Sequence, residues 1–93
     1  MQIWKYPLSS DAVQDILMPK GAEILTVQTQ GETPCLWAQV DERALLEPRR
    51  IRVYGTGHPM QGPVGKYMGT FQIHGGALVF YVYEIPIFPV ISN

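Results

Sequence analysis

Apolar and polar side chains alternate along most of this sequence with a period of two residues. That period places successive side chains on opposite faces of a β-strand, so each such run predicts a strand with one apolar face. Over residues 35–40, for example, Leu36, Ala38 and Val40 fall on one face. The pattern predicts strands over residues 2–6, 22–30, 35–40, 51–54, 67–74 and 77–85.

Three segments make more specific predictions. In residues 22–30 the alternation puts Leu25, Val27 and Thr29 on one face of the strand. Residues 12–18 fit either a strand or one or two helical turns. Residues 41–47 favour a short helix, because Asp41 can cap its first turn and Pro48 would end it.

Turn residues separate these runs and suggest how they connect. Gly75-Gly76 is a two-residue connection suited to a type I′ or II′ turn, so residues 67–74 and 77–85 are expected to form a hairpin. Six to seven short strands, at most one or two short helices and no βαβ spacing predict an all-β, mainly antiparallel fold. We expect a small sandwich or barrel that forms one domain over residues 1–85.

The last residues, 86–93, are expected to form an extended apolar C-terminal arm. Pro86 and Pro89 cannot donate to a strand ladder, and the apolar residues between and after them would be exposed on a monomer. Docking of this arm on a neighbouring copy predicts a homo-oligomer. A disordered tail is the alternative.

Charge limits the partners that the chain can bind. Lys and Arg number 7 and Asp and Glu 8, so the net charge of −1 gives no field that would attract a nucleic acid polymer or an anionic membrane. A secretory signal and a membrane-spanning run are not found in the pattern, and the single Cys35 fits a reducing compartment. We therefore expect a cytoplasmic protein.

The most unusual stretch is the loop Gly55-Thr56-Gly57-His58. Two glycines around a threonine allow successive backbone N–H groups to point into one concavity that can hold an anion such as phosphate. It is not a dinucleotide-binding fingerprint, because Met60 stands where a third glycine would be needed. An ordinary glycine-rich turn is the alternative interpretation.

Arginine and aromatic side chains lie close to this loop in sequence. Arg50, Arg52 and Tyr54 share one strand face in the predicted register, and Arg49 precedes them. Guanidinium groups grip phosphate, and an aromatic ring can stack on a base, so Tyr54, Trp4 or Trp37 could hold a nucleotide's base. A solvated strand face with ordinary ion pairs is the alternative.

Other reactive side chains do not form a recognisable catalytic or metal-binding pattern. His58 and His74 are too few for a histidine metal site, and Cys35 in a strand run is expected to be a buried, unreactive thiol. Glu84 is expected to be an edge charge, or otherwise a buried acceptor for an arginine. We expect most aromatic side chains to be core, and no cofactor, metal or enzymatic activity.

Several short motifs resemble a family of small uncharacterised proteins of phages and bacteria. They are the opening Met1-Gln2-Ile3-Trp4-Lys5-Tyr6, the Met18-Pro19-Lys20-Gly21-Ala22 turn, the Gly55-Thr56-Gly57-His58-Pro59 loop and the Gly75-Gly76-Ala77-Leu78-Val79 hairpin. The resemblance covers residues 1 to about 85 and implies a phage or bacterial cytoplasmic setting. It implies no catalytic residue, and it does not extend to the arm.

Two functions remain open at this point. The first is a phage-encoded protein that sequesters a nucleotide-derived immune second messenger, a small phosphorylated or cyclic nucleotide, without turnover. The second is a protein-interaction module that inhibits a host or phage protein through its strand edges and C-terminal arm.

Overall fold

The computed structural model describes residues 1–87, which form two antiparallel β-sheets and no helix. The seven strands of this part of the chain are β1 (Gln2–Pro7), β2 (Val13–Pro19), β3 (Glu23–Gln30), β4 (Thr33–Val40), β5 (Leu46–Gly55), β6 (Lys66–Ile73) and β7 (Leu78–Ile85). One sheet has the order β1-β4-β3, and the other has the order β2-β5-β7-β6. The predicted all-β sandwich is confirmed, and within residues 1–87 no helix could span a membrane.

The core lies between the two sheets and takes side chains from the inner face of each. On β4 the predicted apolar face is confirmed, since its three residues are fully buried. The fully buried core side chains include Leu36, Ala38 and Val40 from the three-stranded sheet and Met18, Ile51 and Val82 from the four-stranded sheet. Burial of apolar surface at about 25 cal/mol per Å² is the main force that holds the two layers together.

The helix predicted over residues 41–47 is wrong. Asp41 does cap a turn: its Oδ1 accepts the Arg43 N–H at 3.0 Å, and its carbonyl accepts the Ala44 N–H at 3.0 Å. The chain then becomes extended, because β5 begins at Leu46 and pairs with β2 from Pro19 back to Val13. This long-range strand pairing overrides a weak local helix preference. The same pairing shows that residues 12–18, which fitted either a strand or helical turns, form the strand β2 from Val13 onward.

The face predicted for Leu25 is also wrong. A β-bulge between Ile24 and Thr26 adds one residue to β3 relative to β4, which displaces Leu25 from the alternation. Leu25 is therefore 44% exposed, whereas Val27 is 4% exposed. A second bulge lies in β6 between Tyr67 and Gly69.

The two bulged strands meet where the sheets come closest. A Cβ on Gly69 of β6 would lie 3.1 Å from the Cβ of Val27 on β3, so only a glycine allows this approach without a shift of its neighbour. A bulge bends the strand that carries it, and both strands at this contact have one. The absence of a side chain at position 69 therefore allows β6 and β3 to pack closely between the two sheets.

Glu84 is a largely buried acceptor and not an exposed edge charge, contrary to the favoured interpretation of the sequence. Its carboxylate accepts two bonds from the Arg49 guanidinium, which also donates to the Ala22 carbonyl at 2.8 Å. The Arg49 and Glu84 side chains are 18% and 20% exposed. Arg49 on β5 thereby links the four-stranded sheet to the segment that leads into β3.

The hairpin of β6 and β7 is confirmed, but its connection is longer than the two residues expected. Residues 74–77 form the turn, and His74, with a φ of 54°, shares the positive φ of the two glycines. Ile73 pairs with Leu78, the Ala77 N–H donates to the His74 carbonyl at 3.1 Å, and Gly75 and Gly76 have φ angles of 65° and 92°. Positive φ at both central residues is the requirement of a type I′ turn.

Replacing both glycines with valine is expected to lower the free energy of unfolding by about 2–4 kcal/mol, because each β-branched residue would hold positive φ at a cost of about 1–2 kcal/mol. Urea unfolding of the double variant measures the loss. Gly75→Asn is the matched control, since asparagine tolerates positive φ and should cost little. Equal stability of the double variant and the wild type would contradict the turn.

The predicted C-terminal arm falls largely outside this description. Pro86 and Ile87 follow β7 in an irregular conformation, and residues 88–93 lie outside the described residues.

Candidate functional site

The outer face of the four-stranded sheet carries a cluster of tyrosine side chains. Tyr54 on β5 pairs in register with Tyr81 on β7, and Tyr83 on β7 pairs with Tyr67 on β6. The Tyr54 and Tyr83 rings meet edge to face with centroids 5.7 Å apart, and the Tyr67 and Tyr83 rings do so at 5.5 Å. We call Tyr54, Tyr67, Tyr81 and Tyr83 the tyrosine cluster.

Arg52 completes this face. It pairs in register with Tyr83, and its guanidinium carbon lies 4.9 Å from the centroid of the Tyr54 ring. Such a cation–π contact holds the planar guanidinium over the ring. The only side-chain hydrogen bond of Arg52 among the described residues is a long one of 3.4 Å to the Gln61 carbonyl, so most of its guanidinium donors remain available.

The glycine loop follows directly from β5 and forms a tight turn. The His58 N–H donates to the Gly55 carbonyl at 3.1 Å, and Gly57 has a φ of 84°. The His58 ring folds back over Gly55, where a Cβ would lie 2.9 Å from two ring atoms. Gly55 is therefore required for this close approach, and the His58 amide is used within the turn.

Loop and cluster together line a cavity of about 310 Å³ that is open to solvent, which we call the tyrosine cavity. Its lining residues are Tyr54, Gly55, Thr56, Gly57, His58, Met60, Tyr81 and Tyr83. Thr56 connects loop and sheet, because its hydroxyl lies 3.3 Å from the Tyr81 hydroxyl and 3.4 Å from the Val79 carbonyl. The volume is at the lower end of the range for small-molecule sites, about 300–1,000 Å³.

Tyr54, one of the lining residues, also carries an unsatisfied buried polar group. Although it lies on the outer face, the residue is only 5% exposed, since Arg52 and Tyr83 pack against its ring. Its hydroxyl is buried and has no hydrogen-bond partner among the described residues. An orphaned buried hydroxyl costs about 1–3 kcal/mol, so a retained one calls for an explanation such as a ligand.

Six of the nine predicted ligand-binding residues come together here. Tyr54, Gly55, Thr56, Gly57 and His58 line the tyrosine cavity, and Arg52 stacks on Tyr54 beside it.

Arg50 shares the strand face with Arg52 but is held by another partner. Its guanidinium forms a bidentate pair with Asp15 on β2, with bonds of 2.8 and 2.9 Å. The Arg50 hydrogen bond lowers the pKa of Asp15 below its ordinary value of 3.8, so this pair persists at neutral pH. A phosphate that used Arg50 would have to displace Asp15.

Trp4 and Trp37 do not lie near the loop, because they belong to the three-stranded sheet. Trp4 on β1 faces inward and packs against the core, and its indole N–H donates to Gln2 at 2.7 Å. Trp37 on β4 lies on the outer face of that sheet, in a shallow apolar depression with Ile3 and Leu25. Neither ring can stack on a base held at the tyrosine cavity.

Sequence reasoning missed Tyr81 and Tyr83 as site residues and placed most aromatic rings in the core. Period two does put Tyr81 and Tyr83 on one face of β7, opposite Phe80 and Val82. Both faces of β7 are apolar, however, so the pattern alone does not tell which one is buried. Their pairing with Tyr54 and Arg52 on β5 is the information that was lacking.

Chemical groups elsewhere in residues 1–87 form no reactive cluster. Cys35 is 1% exposed, and its thiol contacts the Thr33 carbonyl at 3.6 Å. In this part of the chain no three His, Cys, Asp or Glu side chains are arranged to hold a metal ion.

By its fold the chain is a small antiparallel β-sandwich protein with a ligand-sized cavity at the outer face of one sheet. It belongs to a family defined by a domain of unknown function, DUF7352, which matches residues 1–88. No curated protein and no solved structure matches the sequence.

Proposed function

We propose that this protein binds a small nucleotide at the tyrosine cavity and holds it without chemical turnover. Two observations carry the proposal: the Tyr54 hydroxyl is buried without a partner, and Tyr54 with four other predicted binding residues lines a cavity. A ligand oxygen or ring nitrogen that displaces a neighbouring side chain and accepts a hydrogen bond from this hydroxyl would remove the cost of burying it.

The side chains around Tyr54 suit the two halves of a nucleotide. The Tyr81 and Tyr83 rings offer a surface on which a base can stack, and Arg52 offers donors that can grip a phosphate. Thr56 adds a hydroxyl at the rim. With a net charge of −1, the chain has no broad basic surface, which favours a single small nucleotide over a polymer.

The volume of the cavity limits how much of a ligand it can accommodate. About 310 Å³ is suited to one nucleoside unit, so a larger cyclic nucleotide would extend over the outer strand face toward Arg52 and Arg50. In a homo-oligomer, a second copy of the chain would contact the part of the nucleotide that extends beyond the cavity.

The proposed setting is the cytoplasm of a phage-infected bacterium, where a protein of this size could sequester a nucleotide second messenger of antiphage signalling. The resemblance to small phage and bacterial proteins supports this setting. Sequestration needs only tight binding, which agrees with a site built from stacking and hydrogen-bonding groups.

The test is a titration of the purified protein with AMP, cyclic AMP, a cyclic dinucleotide, adenosine and inorganic phosphate. We expect at least one nucleotide to raise the melting temperature, since a ligand at 100 times its Kd adds about 2.7 kcal/mol of stability. Chromatography of the recovered ligand should return it unchanged. A converted product would show an enzyme, and no stabilisation by any nucleotide would refute the proposal.

Tyr54→Phe separates the role of the hydroxyl in binding from its role in stability. Loss of a hydrogen bond to a charged ligand should weaken binding about tenfold or more, whereas loss of an unsatisfied buried hydroxyl should leave stability unchanged or raise it by about 1 kcal/mol. Calorimetric titration and urea unfolding measure the two effects.

Tyr6→Phe is the matched control. The Tyr6 hydroxyl is also buried without a partner, burial raises its pKa, and Tyr6 belongs to the other sheet. This variant should match Tyr54→Phe in stability and the wild type in binding. Equal nucleotide affinity for both variants would show that the Tyr54 hydroxyl does not contact the ligand.

A second candidate function is a protein-interaction module. Tyr67 is 52% exposed on the same outer face, with Tyr83 between it and Arg52, and the edge strand β2 exposes Val13 and Leu17. Tyrosine and arginine are enriched in the energetically dominant parts of protein interfaces. This alternative would be favoured if no nucleotide binds and if a protein partner binds through Tyr67.

A further inference from the structure

A second, larger cavity lies between the two sheets at one end of the sandwich, and we call it the end cavity. Its volume is about 520 Å³. Val53, Phe71, Ile73 and Phe80 form one wall from the four-stranded sheet, and Leu8 and Pro34 line it from the ends of β1 and β4. The cavity is thus an opening of the hydrophobic core toward the surface.

The walls of the end cavity are suited to an apolar or aromatic body. The Phe71 and Phe80 rings are stacked with centroids 5.3 Å apart and an interplanar angle of 25°. Phe71 and Leu8 are each 7% exposed, so little of either reaches solvent. A ring inserted between the sheets would contact carbon atoms on both sides, which is the usual lining of a small-molecule site.

The mouth of the end cavity carries two carboxylates, and the lining also includes the imidazole of His58. Asp11 and Glu32 line it from the β1–β2 connection and the β3–β4 turn. Asp11 Oδ2 accepts the Ser9 hydroxyl at 3.2 Å, and Glu32 Oε2 accepts the His74 N–H at 3.2 Å. Within residues 1–87 neither carboxylate forms a salt bridge, and no Lys or Arg lines the cavity.

From this combination we infer that the end cavity binds a small apolar ammonium ion. The apolar part enters between Phe80 and Leu8, and the ammonium group stays at the mouth near Asp11 and Glu32. A carboxylate or phosphate at the same place would face two negative charges, so the charge selects a cation over an anion of the same shape.

This inference does not depend on the nucleotide proposal, because the ligand classes and most lining residues differ. Gly55 and His58 line both cavities and cannot distinguish them. Phe71 and Ile73 belong to the end cavity alone, and Tyr81 and Tyr83 to the tyrosine cavity alone. Amide signals of these two pairs therefore report separately on the two sites.

The test is an NMR titration of the full chain with 2-phenylethylamine and with 3-phenylpropionate, which have nearly the same shape and opposite charge. We expect the amine to shift the amides of Phe71 and Ile73 and to bind about tenfold more tightly than the acid, because each exposed carboxylate contributes a modest attraction or repulsion. Equal affinity of the two probes, or shifts confined to other parts of the chain, would overturn the inference.

Asp11→Asn/Glu32→Gln tests the charge without removing the hydrogen bonds, since both amides can still accept them. In this variant the preference for the amine should disappear. Glu23→Gln/Glu42→Gln removes two exposed charges at the opposite end of the three-stranded sheet and should keep the preference. Retention of the tenfold difference in the first variant, or its loss in the second, would show that Asp11 and Glu32 do not select the ligand.

Discussion

Glu84→Ala is expected to lower the free energy of unfolding by about 2–4 kcal/mol. The substitution leaves the Arg49 guanidinium largely buried without its carboxylate, and loss of one partner of a fully buried pair costs about 3–5 kcal/mol. A fifth of each side chain reaches water, which reduces the expected loss. The midpoint and slope of urea unfolding measure it.

The matched control is Asp15→Ala, which breaks the other bidentate pair of β5. Arg50 and Asp15 have the same hydrogen-bond geometry, but their side chains are 37% and 43% exposed. Because an exposed ion pair contributes little to stability, this variant should unfold close to the wild type. Equal effects of the two substitutions would show that burial of the Arg49–Glu84 pair is unimportant.

The double variant Arg49→Met/Glu84→Leu completes the test. Replacement of both charges by apolar groups of similar size removes the unpaired charge, and stability should return close to that of the wild type. Such a result would show that Arg49 and Glu84 each require the other when buried, but that the pair adds little net stability.

Gly65→Ala is expected to destabilise the protein by about 2–5 kcal/mol. Gly65 has a φ of 79°, and a Cβ there would lie 2.3 Å from the Glu84 carbonyl oxygen. The general costs are about 1–2 kcal/mol for a side chain at positive φ and about 1–3 kcal/mol for overpacking, and both apply. Thermal and urea unfolding measure the sum.

Gly62→Ala separates these two causes. Gly62 lies in the same loop with a φ of 77°, but nothing would lie within 4 Å of its Cβ. It should therefore show the conformational cost alone, about 1–2 kcal/mol. If the two variants have the same free energy of unfolding, the close approach of Gly65 to β7 adds nothing to the cost of the substitution.

The strands were largely predictable because each has a local signature. Period-two alternation identified the buried face of β4, and the glycine pair identified the β6–β7 turn. The failures lie where distant segments decide the outcome. Residues 46–49 become a strand because β2 pairs with them, and Leu25 is exposed because β3 takes one more residue than β4.

The same distinction applies to the candidate site. The loop residues and Tyr54 are neighbours in sequence, so their proximity follows from the chain itself. Whether Trp4 or Tyr81 lies beside them depends on which strands share a sheet, and the local pattern does not contain this information. The partner of Arg50, Asp15, is likewise 35 residues away in sequence.

The strand order determines when each strand can find its partner during synthesis on the ribosome. Among the strands of residues 1–87, only β3 with β4 and β6 with β7 pair as immediate neighbours along the chain, whereas β1 needs β4 and β2 needs β5. Strands β1 and β2 therefore have no partner until β4 and β5 emerge from the ribosome, and pairings of such long sequence separation form slowly. The β3–β4 hairpin is the earliest surface on which β1 can add, and the four-stranded sheet is finished only when β7 has been synthesised.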